Sequence, residues 1–276
     1  MARVLTSDSA RQVLHDARPM LERDPVANNL VLTLLEQAAG STIPGTFWLV
    51  SDHRGEPRAV ALRWPASMHA AISPVPRRLV GALVDAIACV APDLRGVAGD
   101  VASASAFAGA WVEQHHQGAT PVEGQRIYRL ARRPRLPTAV GTLRAATTDD
   151  VGMVTTWSDE FASETGSPGP GSAVIEHRTR QGNVWLWDAD GPVSMAAATS
   201  PVAGVSRVGL VYTPRHLRNR GYAGACVAAL SDLLLSTVAS TCVLYTQLSN
   251  PVSNSVYRRM GYEPVLEVLR YELCRC

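Results

Sequence analysis

The sequence predicts a mixed α/β protein of two domains, each with a central mixed, largely antiparallel sheet flanked by helices. Three observations predict this fold class: the chain length, a proline- and arginine-rich break near the middle, and a succession of strands and helices that occurs twice. The chain has 276 residues, which suits two domains because one domain typically takes about 100–200 residues. Its hydrophobic content of 46% is sufficient for two ordinary cores.

The break lies at residues 132–138, where two prolines and three arginines interrupt any regular element. We therefore expect an N-terminal domain over residues 1–135 and a C-terminal domain over residues 136–276.

Each side of this break contains a β-hairpin, an apolar helix and a closing strand. The hairpins are predicted at 47–62 and 184–198, the helices at 78–90 and 222–237, and the closing strands end at 127–130 and 270–273. A strand, an Asp/Gly turn and a second strand are typical of a hairpin. Because the order, spacing and turn residues agree, the sequence predicts an internal repeat.

Two helices are predicted outside the repeat. Pro25 can begin a helix before the apolar run at 30–35, because proline suits the first helical turn. Residues 147–150, Thr-Thr-Asp-Asp, are typical of a cap, and the apolar side chains after them recur at helical spacing. The Gly/Pro/Ser run at 167–172 predicts a loop, which is either a plain connection or a lid on the substrate side.

Charge and cysteine content exclude several functional classes. The formal net charge is only +2, which gives a nucleic-acid partner no bulk electrostatic support. The chain has no lysine, so Schiff-base chemistry on a lysine is excluded. The five cysteines lack zinc-ligand spacing, so we expect no metal, and Cys226 and Cys242 are predicted to be small core side chains.

The hydropathy pattern predicts a cytoplasmic protein without a membrane partner. No apolar run approaches the ~20 residues of a membrane span, and residues 1–24 lack the apolar stretch of a signal peptide.

A strand, a basic turn and a helix start meet at residues 208–224. The turn reads Arg218-Asn219-Arg220-Gly221-Tyr222-Ala223. The first N–H groups of a helix lack intrahelical partners and carry about half a positive charge, so a phosphate binds well there. Gly221 permits a positive φ or a close approach, and Ala223 leaves that approach unobstructed. The alternative is a solvated basic turn that only caps a helix.

A second strand, at 243–247, leads into a short helix between Pro251 and Gly261. Proline is typical of the first helical turn and glycine of the residue that ends a helix. Asn254 and Tyr257 are three residues apart and share one helical face. Tyr257 either lines a cleft or packs against the core, and Asn254 either contacts a ligand or is solvated.

Together, residues 208–264 resemble the GNAT superfamily of N-acetyltransferases. The resemblance rests on the Arg-x-x-Gly-x-Ala turn with its preceding strand, and on an Asn-x-x-x-Asn-x-x-Tyr-x-x-x-Gly-Tyr ending at 250–262. A weaker likeness extends back to residue 143, and the two copies resemble the subgroup with two GNAT-like domains in one chain. The resemblance implies acetyl-CoA as co-substrate and acetyl transfer by direct attack of an amine acceptor, a small molecule or a protein N terminus.

The resemblance also implies roles for individual residues. The strand at 210–213 would pair its backbone with the pantetheine arm, and the turn at 218–223 would hold the pyrophosphate. Tyr257 would protonate the departing CoA thiolate, since a phenol within hydrogen-bond reach is a suitable acid. The residues expected to contact the coenzyme are Leu210, Val211, Tyr212, Thr213, Arg218, Asn219, Arg220, Gly221, Tyr222, Ala223, Gly224, Asn250 and Asn254.

The catalytic base has several candidates. The strand at 206–211 carries no Asp or Glu, where many relatives have a base. Glu164 is the catalytic candidate, with Glu160, Glu176 and His177 as alternatives. Plain surface charge is the other interpretation for each, and an amine that loses its proton to solvent needs no base residue.

The N-terminal copy lacks the glycine-containing turn and the tyrosine of the C-terminal copy. It has no glycine-containing turn before its helix, and aligning Asp100 with Asn250 puts Phe107 in the place of Tyr257. We therefore expect a degenerate GNAT-like domain without CoA chemistry. Two other functions stay open: a non-catalytic acyl-CoA-binding or regulatory module, and a transferase using aminoacyl-tRNA, against which the low net charge counts.

Overall fold

The computed structural model describes residues 3–65, 69–115, 118–135, 139–166 and 169–274. Their contacts group into two compact units. Unit 1 comprises residues 1–127, 247–249 and 265–276, and unit 2 comprises residues 128–246 and 250–264. The last strand of the chain therefore belongs to unit 1, and a boundary between independent domains at residue 135 stays a prediction.

The first half of the chain contains six strands and four helices within the described residues. They are β1 (Arg3–Ser7), α1 (Ala10–Leu21), α2 (Asn29–Ala39), β2 (Thr46–Ser51), β3 (Pro57–Arg63), β4 (Ala70–Ile72), α3 (Val80–Val90), β5 (Gly96–Asp100), α4 (Val101–His115) and β6 (Gly118–Leu130).

The second half repeats this order of elements. They are β7 (Thr142–Ala145), α5 (Val151–Thr165), α6 (Ser172–Arg180), β8 (Val184–Asp188), β9 (Pro192–Ala198), β10 (Val205–Tyr212), α7 (Tyr222–Thr237), β11 (Thr241–Gln247), α8 (Pro251–Met260) and β12 (Glu263–Cys274). The predicted hairpins are β2–β3 and β8–β9, the predicted helix at 222–237 is α7, and the repeat is confirmed at the level of secondary structure.

The sheet in each unit is mixed and largely antiparallel, which confirms the predicted fold class. In unit 1 the strands β1-β2-β3-β4-β5-β12 are neighbours in this order, and among the described pairs of these six strands only β4 and β5 are parallel. In unit 2 the order from the edge inward is β7-β8-β9-β10-β11, with only β10 and β11 parallel. A parallel pair with a crossover helix thus occupies the same place in both units.

Most of the local signals for helix ends are confirmed. Thr147 and Asp150 form a capping box before α5, α8 begins at Pro251, and it ends at Gly261 with φ +102°. The expected helix start at Pro25 is wrong. Residues 24–28 form a turn, because Asp24 accepts a hydrogen bond from the Ala27 N–H at 3.0 Å, and α2 begins only at Asn29.

Unit 2 has an apolar cluster on each face of its sheet. One lies under α7 and α8 and contains Val208, Leu244, Val227 and Met260. The other lies under α5 and α6 and contains Trp157, Ile175, Met195 and Tyr212. The expected core positions of Cys226 and Cys242 are confirmed, since both are fully buried. No helix among the described residues is long and apolar enough to cross a bilayer.

Candidate active site

The parallel strands β10 and β11 separate toward their carboxyl ends. Their paired residues end with Val208 and Leu244, yet β10 continues to Tyr212 and β11 to Gln247. The turn that follows β10 and the helix that follows β11 therefore lie at the same edge of the sheet. In open α/β sheets, ligands bind at this edge, outside the carboxyl ends of the strands.

The backbone of β10 is irregular where the strands separate. Leu210 has a φ of +49°, and the pairing register with β9 shifts between Gly209 and Tyr212. A residue other than glycine at positive φ costs on the order of 1–3 kcal/mol, and such strain clusters at functional sites. A Cβ placed on Gly209 would meet no atom within 4 Å. The strand thus has open space beside its bulge, and pantetheine pairing at Leu210, Val211, Tyr212 and Thr213 stays a prediction.

The turn between β10 and α7 presents a row of unpaired backbone N–H groups. Asn219 has φ +63° and Gly221 has φ +81°, so Gly221 uses the positive φ that glycine permits, one of the two roles expected for it. The first helical hydrogen bond runs from the Ala225 N–H to the Gly221 carbonyl at 2.9 Å. Within the described ranges, no backbone N–H from Asn219 to Gly224 donates a hydrogen bond. Such a row at a helix N terminus is an anion-binding arrangement.

The arginines of this turn differ in what they contact. The Arg218 Nε donates to the Thr213 carbonyl at 2.9 Å, and its Nη2 donates to both carboxylate oxygens of Glu164 at 2.9 and 2.7 Å. Arg220 is exposed and has no side-chain partner among the residues that the structure describes. The Arg220 guanidinium is therefore available to bind an anionic ligand, whereas Arg218 braces the turn against β10 and α5.

Glu164 lies at this brace. Hydrogen bonds from Arg215, at 2.9 Å, and from Arg218 hold the pKa of Glu164 below its ordinary value. A lowered pKa makes a carboxylate a weaker base. The geometry favours a positioning role for Glu164, and its expected catalytic role stays a prediction.

The other candidate bases are also engaged or exposed. Glu160 accepts a hydrogen bond from the Tyr212 phenol. Desolvation is the larger cause of the raised pKa of Tyr212, and this hydrogen bond is the second. Glu176 forms an ion pair with Arg180, and His177 lies exposed on α6. Within the described ranges, the structure brings none of these side chains together as a catalytic pair.

The start of α8 is fixed by two asparagines. The Asn250 Oδ1 accepts a hydrogen bond from the Ser253 N–H at 3.0 Å and caps the helix. Asn254 is buried. Its Nδ2 donates to the Asn250 carbonyl at 2.6 Å, and its Oδ1 accepts from the Tyr128 hydroxyl at 2.8 Å. The Asn254 amide is thus occupied within the protein, which favours positioning of α8 over direct contact with a ligand.

Tyr257 belongs to a cluster of three tyrosines. Its ring centroid lies 6.4 Å from that of Tyr128 and 6.0 Å from that of Tyr262. The Tyr128 hydroxyl is bonded to Asn254, and the Tyr262 hydroxyl lies 2.7 Å from that of Ser231. The half-buried Tyr257 has no hydroxyl partner among the described residues. Its phenol is therefore the member of the cluster that is available to a ligand.

Desolvation raises the pKa of Tyr257 to about 12. The phenol therefore keeps its proton at neutral pH, as a general acid must. The two buried cysteines do not compete as nucleophiles, because burial raises the pKa of the Cys226 and Cys242 thiols to about 12. Sequence reasoning missed Tyr128, since its bond to Asn254 joins residues 126 positions apart.

Comparison with known families and structures places these features in context. Residues 189–271, which run from the turn of the β8–β9 hairpin almost to the end of β12, match the family model described as FR47-like protein. A search among curated proteins finds no matching sequence.

Several solved structures match the chain along almost its whole length. A GCN5-related N-acetyltransferase from Sphaerobacter thermophilus is 18% identical, with a TM-score of 0.62 over 100% of this chain and 96% of the other. A GNAT-family acetyltransferase from Colwellia psychrerythraea is 10% identical, with a TM-score of 0.62 over 99% and 100%. A tandem GNAT protein from the clavulanic acid biosynthesis pathway is 12% identical, with a TM-score of 0.58 over 100% and 98%.

The chain has the GNAT fold. The predicted resemblance to this superfamily is therefore supported by both the family model and the fold, and the full-length match to a tandem GNAT protein accords with the internal repeat.

The two GNAT-like copies differ where unit 2 forms its candidate site. In unit 1, a Cβ on Gly99 of β5 would lie 2.6 Å from the Ile72 Cγ1 of β4, so these parallel strands stay in close contact. Residues 77–79 lead directly into α3, without a positive-φ glycine. The open strands and the glycine turn are therefore features of unit 2.

The register predicted between the copies agrees with the geometry of their helix caps. Asp100 accepts a hydrogen bond from the Ser103 N–H at 3.0 Å, three residues on, as Asn250 does from Ser253. Phe107 then falls at the position of Tyr257, and it is fully buried. The absence of CoA chemistry in unit 1 stays a prediction, and these positions support it.

Proposed function

We propose that unit 2 transfers an acetyl group from acetyl-CoA to a primary amine by direct attack. The observation that carries this proposal is the row of unpaired N–H groups from Asn219 to Gly224, which lies at the same sheet edge as the helix of Tyr257. Backbone donors at a helix N terminus suit a pyrophosphate. The open space beside Gly209 suits an extended thioester arm.

Acetyl transfer by direct attack requires one proton donor from the side chains and no base. The neutral amine nitrogen forms a bond to the acetyl carbon, the carbon–sulfur bond breaks, and the thiolate takes a proton. Tyr257 supplies that proton, because its pKa of about 12 keeps the phenol protonated. The proton lost by the amine passes to solvent, which restores the phenol, so the Glu164 carboxylate is not required as a base.

One observation favours a second candidate, a non-catalytic acyl-CoA-binding or regulatory module. β10 carries no carboxylate beside the strand opening, and Glu164 is held in ion pairs with Arg215 and Arg218. Such a module would bind CoA through the same turn without turnover.

Two measurements on the full chain separate the candidates. Isothermal titration of CoA tests the binding site, and release of free thiol from acetyl-CoA in the presence of an amine panel tests transfer. Binding together with amine-dependent thiol release supports the transferase. Binding without thiol release for any amine favours the regulatory module, and absence of binding contradicts both.

A further inference from the structure

Unit 2 contains a second cationic cluster, formed by Arg178 and Arg207 with Tyr245, on the sheet face opposite α7. Side chains alternate between faces along a strand. Val208 and Leu244 pack in the cluster under α7, so their neighbours Arg207 and Tyr245 lie on the other face. The Arg207 guanidinium lies over the Tyr245 ring, 5.5 Å from its centroid.

Arg178 reaches this face from α6. It follows the buried Ile175 by three residues and therefore shares its inward face. The Arg178 carbonyl accepts from the Asn183 N–H at 2.9 Å, and the Asn183 carbonyl accepts from the Ala198 N–H at 2.9 Å. The next residue, Thr199, donates its N–H to the Arg207 carbonyl at 2.9 Å. The end of α6 is thus linked through β9 to β10 at Arg207.

Neither guanidinium of this pair has a carboxylate partner among the residues that the structure describes. Both side chains are only partly exposed, and desolvation together with the charge of Arg207 lowers the pKa of Arg178. In contrast, Arg144 of the same unit pairs with both Asp150 and Asp188. Two partly buried like charges without an anion are costly, and an anionic ligand would neutralise them.

The arginine pair lies closer to the expected position of the acceptor than to the expected position of the coenzyme phosphates. Arg207 and Gly209 are two residues apart on β10, hence on one face and about 7 Å apart. Gly209 faces open space, and the strands separate just after Val208. Tyr212 lies five residue steps beyond Arg207 along β10, about 17 Å away, and the pyrophosphate turn lies beyond Tyr212. The pair therefore lies beside the expected thioester, at the far end from the phosphates.

We propose that the amine acceptor carries an anionic group, such as a carboxylate, which Arg178 and Arg207 bind while the amine attacks the thioester. This inference rests on the proposed acetyl transfer and narrows its acceptor class. Two guanidinium groups suit a carboxylate or a phosphate, which they bind through paired N–H donors. The anionic group takes no part in bond making, since only the amine nitrogen and the acetyl carbon form a bond.

Matched amine pairs test the inference by thiol release from acetyl-CoA. The pairs are glycine with methylamine, β-alanine with ethylamine, 4-aminobutyrate with propylamine, and O-phosphoethanolamine with ethanolamine. We expect the anionic member of at least one pair to have a kcat/KM at least tenfold higher than its plain partner. The pair in which the preference appears identifies the anion as carboxylate or phosphate.

Variants connect the preference to the two arginines. Arg178→Gln and Arg207→Gln should each lower kcat/KM for the anionic amine by about 10- to 100-fold, the size of a lost charge-assisted hydrogen bond. The plain amine and the KM for acetyl-CoA should change little. Arg180→Gln is the matched control, because Arg180 lies exposed on the same helix and pairs with Glu176. Thermal melts report whether each variant folds.

A binding measurement separates failure of this inference from failure of the proposed function. N-acetyl-β-alanine and N-acetylglycine are titrated into the CoA-loaded protein by calorimetry. Product binding that Arg207→Gln abolishes, without thiol release for any amine, upholds the anion site and overturns the transfer. Equal acetylation of plain and anionic amines, or a preference that survives in Arg207→Gln, overturns the anion site and upholds the transfer. Absence of both signals overturns both.

Discussion

Substituting valine for Gly221 tests the pyrophosphate turn directly. Gly221 has φ +81° at the start of α7, and the donors expected to hold the phosphates are backbone N–H groups that no side-chain truncation removes. A Cβ at this position would meet only the Ala139 Cβ, at 3.9 Å. The protein therefore has room for the side chain, and the effect of Gly221→Val must come from the backbone and from the approach of the ligand.

The expected magnitude follows from the left-handed conformation. An L-residue held there costs about 1–2 kcal/mol, and a β-branched one tolerates it least. If the valine of Gly221→Val leaves the left-handed conformation in the free protein and must return to it when CoA binds, the cost of that conformation weakens the affinity for CoA. Since 1.4 kcal/mol is a factor of ten, the Kd for CoA should rise about 5- to 30-fold, with little change in Tm.

Gly55 provides a matched control in unit 1. It has φ +82°, and a Cβ there would meet no atom within 4 Å. Gly55→Val therefore introduces the same backbone strain away from the candidate site. Isothermal titration of CoA with the parent and both variants, with a thermal melt of each, should show a weakened affinity in Gly221→Val alone. If Gly221→Val binds CoA as tightly as the parent, the pyrophosphate is not held at this turn.

Three further substitutions test other features of unit 2. Tyr257→Phe should lower kcat by about 10²–10⁴-fold with an unchanged Kd for CoA. The control Tyr262→Phe should alter Tm instead. Equal kcat in the parent and in Tyr257→Phe would refute the proton-donor role. Because the pKa of Tyr257 is about 12, kcat of the parent should not decline on the alkaline side below about pH 10. Arg218→Ala should raise the Kd for CoA only a few-fold by titration, since its side chain braces the turn while the backbone donors remain; a loss above about tenfold would show direct contact. Asp150→Asn should lower the free energy of unfolding in urea by about 1–2 kcal/mol at neutral pH, because Arg144 holds the Asp150 pKa at about 2, below its ordinary 3.8. This stabilisation is present above about pH 4 and disappears as the pH falls toward about 2. An undiminished difference between parent and variant at about pH 2 would contradict it.

The features that the sequence predicted correctly are those set by neighbouring residues. A positive φ at Gly221, the start of α8 at Pro251 and its end at Gly261 follow from the backbone preferences of glycine and proline. The two hairpins were predictable because their strands and turns are contiguous. Pro25 does not begin a helix, because the Asp24 carboxylate accepts a hydrogen bond from the Ala27 N–H and stabilises a turn there.

The features that escaped prediction depend on residues far apart in the chain. Arg218 contacts Glu164 across 54 positions, which converts a candidate base into part of the brace. A strand pattern also does not specify which neighbour a strand pairs with, since that choice depends on tertiary packing. For this reason the sequence placed β12 in the C-terminal domain, whereas its residues pair with β5.

The pairing of β12 with β5 has a consequence for biosynthesis. Residues 268–272 pair with residues 96–100, so unit 1 needs the last strand of the chain to complete its sheet. At about 5–20 residues per second, the ribosome takes roughly 7–30 s to reach the end of β12 once residue 127 has been added. During this interval one edge of β5 lacks its partner, and an unpaired edge invites pairing with other chains. Nascent protein should therefore be most prone to aggregate late in translation, and ribosomes that stop short of β12 should release chains whose N-terminal unit has not closed its sheet.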